Sequence, residues 1–254
     1  MRRCYSFAVR RGVLGTASAV LVVAGWCSVV TATGVSAAPN VAGKAVFLDP
    51  GHSGVNDSSI TAQVTNGRGG TKNCETTGTA TSDGYPEHAL TWDVVQRVRA
   101  ELTGLGVRVE LSRGDDSTVG PCIDKRAAAA NSMRPDAIVS IHADGGPAGG
   151  HGFHVNYSLP PLNDVQAGPA VELAKTMRDA LEAAGLEPST YIGSGGLYGR
   201  ADLAGLNLAQ YPAILVELGN MRNSDEAAQM ESAGGRARYA DAVTDGIVAY
   251  LGGR

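Results

Sequence analysis

The chain is short of positive charge. Of its 254 residues, 21 are Lys or Arg and 25 are Asp or Glu, and four of the arginines lie within the first eleven positions. Residues 38–254 therefore carry 17 basic and 25 acidic side chains, a formal charge of −8. Nucleic acids and anionic membranes attract positively charged surfaces. We expect neither of them as a partner of this part of the chain.

The chain also lacks an uninterrupted apolar run of membrane-spanning length, which is about 20 residues. The apolar run around Val20–Trp26 follows a basic start and is interrupted by small and polar residues. Val35-Ser36-Ala37 then has the small-residue pattern of a cleavage site. These features indicate a secretory signal peptide, residues 1–37, rather than a membrane anchor. We therefore expect a protein exported to the periplasm, the cell wall or the medium, with residues 38–254 as its folded domain.

Cysteine is scarce, and no pair has the Cys-x-x-Cys spacing of a cysteine-rich zinc site. Two of the four cysteines lie within the signal peptide, which leaves Cys74 and Cys122. In an exported protein an even pair of cysteines predicts one disulfide bond. The bond closes a loop of roughly 49 residues, which stabilises a fold by about 4 kcal/mol in the chain-entropy model.

Nucleotide-binding signals and internal repeats are absent from the sequence. The glycine-rich segment Gly149-Gly150-His151-Gly152 is not followed by the Lys-Ser/Thr pair of a phosphate-binding loop. A mature length of about 217 residues suits one large domain with one core. We therefore expect a single domain and no nucleotide chemistry.

Short runs of β-branched residues alternate with segments of helical apolar spacing. This alternation predicts an α/β fold, a single domain with a mostly parallel twisted sheet flanked by helices. Ser53–Gly84 and Gly193–Leu206 are rich in glycine and lack periodicity; we predict both as loops, and the first as functional or mobile because it is long. The predicted strands are Lys44–Leu48, Val107–Ser112, Ala137–Ile141, Gly152–Tyr157 and Ala213–Leu218. The predicted helices are Glu87–Leu105, Ile123–Met133, Asp164–Ala184 and Arg236–Leu251.

Four polar residues lie where the predicted sheet would bring them to one edge. His52 follows the first strand, His142 ends the third, and Glu217 ends the last. Glu87 opens the first helix. Ligands of α/β sheets bind beyond the carboxyl ends of the strands. Two His and one Glu can hold a zinc ion with a fourth position open for water, and a second Glu can then act as general base and acid.

Each of these residues also has a structural interpretation when it is taken alone. His52 could cap a turn, His142 could be a core histidine, and Glu87 suits the first turn of a helix because of the helix dipole. Glu217 is the hardest to explain in this way, since a buried carboxylate is costly without a partner. The combination of all four favours a metal site with an adjacent base.

Other histidines and two arginines have structural interpretations. We expect His88 to point away from the site, and His151 and His154 to line the pocket or to be solvated. We expect Arg113 and Arg126 to form structural ion pairs.

The motifs around the four residues resemble those of the zinc-dependent N-acetylmuramoyl-L-alanine amidases of the type 3 family. The resemblance runs from about Lys44 to Leu251. The motifs are Asp49-Pro50-Gly51-His52, Ser140-Ile141-His142-Ala143-Asp144 and Pro212-Ala213-Ile214-Leu215-Val216-Glu217-Leu218-Gly219-Asn220, with Arg113, Arg126 and Asn131 at matching places.

The resemblance implies a phosphorylase/hydrolase-like fold and one Zn²⁺ ion per chain. It implies that His52, Glu87 and His142 are the metal ligands and that Glu217 is the catalytic residue. The substrate would be peptidoglycan or muropeptides, cut between the lactyl group of N-acetylmuramic acid and the L-alanine of the stem peptide. Two alternatives are a zinc peptidase that cuts within the stem peptide and a peptidoglycan-binding protein without activity.

The resemblance also bears on substrate contacts and on regulation. Asp144, Arg200 and Asn220 lie close in sequence to the site motifs or in the second glycine-rich segment, and we expect them to contact the substrate. Some relatives carry an extra helix that plugs the zinc site. Here one strand, one amphipathic helix and a glycine-rich loop account for 144–212, which leaves no helix to act as a plug. We therefore expect a domain that is active without a partner protein. We also expect it to be a monomer.

Overall fold

Strands that alternate with helices build the described part of the chain, residues 40–253 of a computed structural model. The proposed signal peptide, residues 1–37, lies outside these described residues. The single α/β domain that the sequence predicts is confirmed. No helix within 40–253 is both long and apolar enough to cross a membrane.

The central sheet has six strands in the order β4-β1-β5-β8-β6-β7. The first four strands are mutually parallel. β6 runs antiparallel to β8, and β7 runs parallel to β6. A two-stranded antiparallel hairpin, β2 and β3, stands apart from this sheet. The strands are β1 Ala45–Pro50, β2 Gln63–Thr65, β3 Thr71–Asn73, β4 Arg108–Leu111, β5 Ala137–Asp144, β6 His154–Ser158, β7 Leu197–Arg200 and β8 Ala213–Asn220.

Helices cover both faces of the sheet. Their bounds are α1 Glu87–Gly104, α2 Ile123–Met133, α3 Asp164–Ala167, α4 Pro169–Ala183, α5 Ala204–Leu208, α6 Ser224–Glu231 and α7 Ala233–Gly252. The long helices α1, α4 and α7 pack with one face in the main hydrophobic core. The shorter helices α2 and α5 pack with the other face in a smaller core.

The alternation of side chains along β8 decides where the functional residues lie. Ile214, Val216 and Leu218 enter the main core, whereas Leu215 enters the smaller one. Successive side chains of a strand point to opposite faces. Glu217 therefore projects from the same face as Leu215, on the side of α2 and α5.

Three strands are longer than the sequence predicts, and the first of them, β1, continues past Leu48 to Pro50. β5 continues past Ile141 to Asp144, with an irregular register between His142 and Asp144. β8 continues past Leu218 to Asn220. Polar residues at a strand end break the apolar pattern, so a prediction from hydrophobicity places the end of the strand too early. As a result His142 and Glu217 lie inside paired strands rather than at their ends.

The two predicted loops contain regular structure. The segment 53–84 holds a 3₁₀ turn, Ser58–Thr61, and the β2–β3 hairpin. The segment 193–206 holds β7 and the start of α5. These elements have three to five residues, which is too short for a sequence period to be visible.

The predicted helices also differ in their limits. The predicted helix Asp164–Ala184 is divided at Gly168 into α3 and α4, because Pro169 begins a new helix. The last helix begins at Ala233 rather than Arg236, and α6 before it was not predicted. Between β6 and β8 the chain therefore has three helices instead of one. The last of them, α5, packs against α2 through Leu206 as part of the smaller core.

Candidate active site

A tight turn at the end of β1 presents His52. The backbone of His52 has φ +63°, a left-handed conformation that non-glycine residues rarely adopt. A Cβ atom on Gly51 would lie 2.2 Å from Cε1 of His142, so only glycine fits at that position. The turn thus brings the Gly51 backbone and the His142 ring into close contact.

Two buried arginines hold this turn. Arg113 donates from Nε to the Pro50 carbonyl at 3.0 Å, and Arg126 donates from Nη2 to the His52 carbonyl at 2.8 Å. Arg126 also forms ion pairs with Asp49 at 3.0 Å and with Glu75 at 3.1 Å. The predicted role of these arginines in structural ion pairs is confirmed, and the partner of Arg113 is Asp116 at 2.7 Å.

Asp49 is the acidic partner beneath the turn. It accepts hydrogen bonds from the hydroxyls of Ser112 and Ser140. Burial alone would raise the pKa of Asp49, but the charge of Arg126 and the two hydroxyl donors lower it to about 2. Asp49 is therefore a carboxylate at any pH near neutrality and anchors Arg126 electrostatically.

Glu87 is fixed by its position at the first residue of α1. Its backbone N–H donates to the Thr79 carbonyl at 3.0 Å, and its Oε2 accepts from the Thr79 N–H at 2.9 Å. Its Oε1 accepts from the N–H of Ala143 at 3.1 Å. Gly78 permits this approach, because a Cβ there would lie 2.9 Å from Glu87 Oε2. The carboxylate is thus oriented by backbone groups from two segments.

The structure brings His52, Glu87 and His142 together. Nε2 of His52 lies 3.0 Å from Oε2 of Glu87, and Nδ1 of His142 lies 3.0 Å from Oε1. One ligand atom from each residue lies within 4.8 Å of the others. This spacing allows the three side chains to hold one metal ion.

The surroundings of His52 fit a metal ligand. Its Nδ1 lies 2.8 Å from the carbonyl of Thr76, so Nδ1 carries a proton and Nε2, which faces Glu87, is the nitrogen that can bind a metal. Such a hydrogen bond behind the ring is the usual companion of a metal-bound histidine. Burial opposes the charged form of His52, but the hydrogen bond and charge of Glu87 raise its pKa. A cation that binds here therefore displaces a proton.

Glu87 has the charge that a metal ligand needs. Burial alone would raise the pKa of Glu87, but its hydrogen bonds from His142 and His52 hold that pKa well below the ordinary value. The carboxylate is therefore ionised before any cation arrives.

Glu217 lies one strand away from His142 and is directly paired with it in the β5–β8 register. Its Oε2 is buried and has no hydrogen-bond partner among residues 40–253. Burial and then the negative charges of Glu87 and Asp144 raise the pKa of Glu217 well above its ordinary value. A carboxyl group that holds a proton more tightly than usual is suited to general acid–base work.

The three expected substrate contacts have different surroundings. Asp144 accepts a hydrogen bond from the hydroxyl of Tyr191 at 3.1 Å, and Arg200 forms an ion pair with Asp202. Both lie near enough to Glu217 to change its pKa. Asn220 is completely buried, and its Nδ2 donates to the carbonyls of Pro147 and Gly150 at 2.8 and 2.9 Å. Asn220 therefore holds a loop in place instead of facing a substrate.

The remaining histidines lie outside the metal triad. His88 pairs with Asp116 at 2.9 Å, as expected for a residue that points away. His151 is partly exposed, in agreement with the prediction. His154 is not solvated: it is 1% exposed and is paired with Glu217 across β6 and β8. No sequence signal finds this neighbour, because it depends on the register of two antiparallel strands that are distant in the chain.

The predicted disulfide between Cys74 and Cys122 is confirmed. It joins the long segment 53–84 to the N-terminus of α2, where Ile123 N–H donates to the Cys74 carbonyl at 2.9 Å. Glu75 and Thr76, which contact Arg126 and His52, directly follow Cys74. The bond therefore anchors the segment that orients one candidate metal ligand.

Two histidines and a glutamate that can hold a cation, with a second glutamate on the next strand, are the arrangement of hydrolases that act through metal-bound water. The fold and the site therefore match this class of hydrolase, with a candidate metal centre on an α/β sheet.

Comparison with known proteins identifies the family. Residues 46–249 match the family model described as N-acetylmuramoyl-L-alanine amidase. The chain is 62% identical over 217 residues to N-acetylmuramoyl-L-alanine amidase Rv3717 of Mycobacterium tuberculosis, which covers 85% of this chain and 90% of that protein. The chain therefore belongs to the N-acetylmuramoyl-L-alanine amidase family, as the sequence motifs predict.

Solved structures agree with this assignment. The crystal structure of the amidase Ami1 from Mycobacterium smegmatis is similar to this chain, with 63% sequence identity and a TM-score of 0.84. The match covers 85% of this chain and 100% of the Ami1 chain. The apo form of Ami1 from Mycobacterium abscessus has 67% identity and a TM-score of 0.82, and covers 83% of this chain and 99% of that one.

Proposed function

We propose that the chain is an exported, zinc-dependent peptidoglycan amidase. It hydrolyses the amide between the lactyl group of N-acetylmuramic acid and the L-alanine of the stem peptide. The observation that carries this proposal is the direct pairing of His142 with Glu217, which sets an unpartnered carboxyl group beside the His52–Glu87–His142 triad. Family membership supports the choice of bond over the two alternatives, a stem peptidase and an inactive binding protein.

His52, Glu87 and His142 would hold one Zn²⁺ ion per chain. Two imidazoles and one carboxylate are the donor set of many catalytic zinc sites, and they leave a position for water. When bound, zinc would lower the pKa of that water and place a positive charge close to the substrate carbonyl. The negative charges of Glu87 and Asp144 favour a divalent cation at this place.

Glu217 would move the proton in both halves of the reaction. It takes a proton from the attacking water, whose oxygen forms a bond to the lactyl carbonyl carbon. It then gives that proton to the alanine nitrogen as the carbon–nitrogen bond breaks. The products are a glycan that carries a lactyl carboxylate and a stem peptide with a free amine. The raised pKa of Glu217 suits the second step, because a carboxyl group that keeps its proton can serve as an acid.

Asp144 and Arg200 would contact the substrate around this centre. Arg200 stacks over Tyr198 with its guanidinium carbon 5.5 Å from the ring centroid, which gives the site an aromatic and a cationic surface. Such a surface suits sugar rings and carboxylate groups. Export, with residues 1–37 removed, is supported by the leader pattern and by a disulfide that needs an oxidising compartment.

Digestion of purified muropeptides tests the cleaved bond. The domain 38–254 is incubated with disaccharide-tetrapeptides, and the products are read by mass spectrometry, with chelator-treated enzyme and the Glu217→Gln variant as controls. We expect free tetrapeptide and free disaccharide in the wild-type samples and neither product in the two controls. Shorter peptides, or a glycan that keeps L-alanine, would indicate the stem-peptidase alternative. Metal analysis of the same preparation should find about one zinc per chain; a fully active metal-free preparation would contradict the zinc assignment.

A further inference from the structure

His154 lies in the same row of the sheet as Glu217. It is paired with Glu217 across antiparallel β6 and β8, and Glu217 is paired on its other side with His142 of β5. Residues that are directly opposite project from the same face, with Cα atoms about 4.5–5.5 Å apart in antiparallel strands. Glu217 is therefore flanked by a candidate metal ligand on one side and by a histidine outside the triad on the other.

The polar atoms of His154 and Glu217 are complementary and unused. His154 is 1% exposed, and its Nδ1 has no hydrogen-bond partner within the described chain. Oε2 of Glu217 is likewise buried without a partner. Leaving a buried polar atom unpaired costs stability, so folds rarely keep one without a use. Nδ1 of His154 can carry a hydrogen and donate it, and Oε2 of Glu217 can accept it.

The ring of His154 is held from two sides by aromatic residues. Tyr191 and Tyr198 pack edge-on against it, with ring centroids at 6.5 and 6.1 Å. Tyr191 is fixed in turn by Asp144, which accepts its hydroxyl hydrogen at 3.1 Å. These contacts position the imidazole beside Glu217 but leave its nitrogens free.

The imidazole of His154 can offer an N–H group without carrying a charge. Burial lowers the pKa of His154 to about 4; the negative charge of Asp144 opposes this shift, and the positive charge of Arg200 reinforces it. A neutral imidazole carries one N–H donor. It can therefore stabilise a carboxylate without adding a positive charge that would compete with the metal ion.

We propose that His154 is a positioning residue for Glu217; this rests on the proposed role of Glu217 in the amidase reaction. The ring N–H of His154 donates to Oε2 of Glu217, after a small side-chain rotation or through one water molecule. This leaves Oε1 free to face the scissile amide. The carboxyl group then keeps one orientation while it takes the proton from water and while it returns the proton to the leaving nitrogen.

His154→Phe removes the donor and keeps a ring of similar size in the aromatic surroundings. We expect kcat to fall about 10- to 100-fold, the effect of losing one hydrogen bond to a charged group, with KM within about twofold. Zinc content should not change, because the triad is untouched. The melting temperature should stay the same or rise, since an unpaired buried polar atom is replaced by an apolar one.

His154→Asn and His154→Gln report which nitrogen is used. The amide nitrogen of Asn lies near the place of Nδ1, and that of Gln lies near the place of Nε2. Since Nδ1 is the buried unpartnered atom, we expect Asn to restore most of kcat and Gln to restore less. His151→Phe is the matched control, the same substitution at a partly exposed histidine three residues earlier, and should behave as wild type.

A double variant separates this proposal from the proposed function. If His154 acts through Glu217, adding His154→Phe to Glu217→Gln should lower the residual rate no further. A wild-type kcat in His154→Phe, a rise in KM alone, or additive losses in the double variant would each overturn the positioning role. Loss of zinc or a fall in melting temperature would assign His154 to structure instead. Failure of the proposed function would appear elsewhere, as an active Glu217→Gln enzyme or an uncut lactyl amide.

Discussion

Glu217 stands directly opposite His142 on neighbouring parallel strands, and both side chains project from the face of the sheet that carries α2 and α5. The pairing places a proton-transfer group one strand away from a candidate metal ligand. Strand pairing is among the most rigid relationships in a fold, so the distance between the two groups is set by the backbone ladder rather than by a loop.

Glu217→Gln should separate catalysis from metal binding. The substitution removes a proton shuttle and no ligand, so the turnover should fall at least about 100-fold while the zinc content stays at the wild-type level. His142→Ala should lose both, because it removes a ligand. Stem-peptide release and metal analysis on the same samples check the two variants. A Glu217→Gln enzyme that works at nearly the wild-type rate would show that the base is another residue.

Gly51→Ala should damage the metal site without removing any ligand. The new Cβ would lie 2.2 Å from Cε1 of His142, so the imidazole or the turn must shift. We expect zinc affinity to fall about 10- to 100-fold, as when the support of a ligand is lost. Gly149→Ala is the matched control, because a Cβ there meets nothing within 4 Å. Titration of the apo-protein with zinc measures both; equal affinities would refute the packing argument.

The Cys74–Cys122 bond should be detectable by non-reducing peptide mapping of protein from an oxidising compartment, and two free thiols there would contradict it. Reduction should lower the free energy of unfolding by up to about 4 kcal/mol, the chain-entropy value for a loop of this length. Since the bond anchors the segment that holds His52, we also expect weaker zinc binding after reduction. A Cys74→Ser/Cys122→Ser variant gives the same comparison without a reductant.

Asp49 should make the fold sensitive to acid. Its pKa is about 2 in the folded chain against an ordinary value of 3.8. A lowered folded pKa contributes stability above pH 4 that is lost as the pH falls from about 4 to about 2. Asp49→Asn should therefore unfold more easily at pH 6, by about 2 kcal/mol, and the difference should shrink towards pH 2. Denaturant unfolding at several pH values measures this, and a difference that does not change with pH would exclude Asp49 as its source.

The isolated domain should release stem peptides from small soluble muropeptides without a second protein. The three helices between β6 and β8 do not alter this expectation. α4 packs in the main core, α5 packs on α2 in the smaller one, and α3 is held to α5 by Gln166, which donates to the carbonyls of Leu206 and Asn207. The hairpin β2–β3 and its disulfide anchor lie in the segment that we expect to govern access. A domain that binds zinc normally yet stays inert until another protein is added would show that one of these elements blocks the site.

The residues of the candidate site can be predicted from the sequence more completely than some of the secondary structure around them. His52, Glu87, His142 and Glu217 each lie beside a local signal, such as a Pro-Gly turn, a helix start or an apolar strand. β7 and α6 escaped prediction because they are short and half-exposed, so apolar periodicity is weak there.

The position of His154 depends on information that no local segment contains. Its neighbour Glu217 is more than sixty positions away in the chain, and their contact follows from the antiparallel register of β6 and β8. A sequence can indicate that both residues lie in strands, but it does not say which pair of residues is opposite. The burial of His154 follows from the same register, so of the two expectations for this residue, pocket-lining or solvated, only solvation is wrong.

The register of β6 and β8 completes the row from His142 through Glu217 to His154, and a shift of the register would break that row. If β6 slipped by one residue along β8, Val155 or Phe153 would take the place opposite Glu217, and an apolar side chain would replace the imidazole. The same slip would force His154 into the hydrophobic layer beneath α4 and α7. Misalignment would therefore weaken the core and disable the chemistry together, so a chain with a disordered reaction centre would also be one that folds poorly.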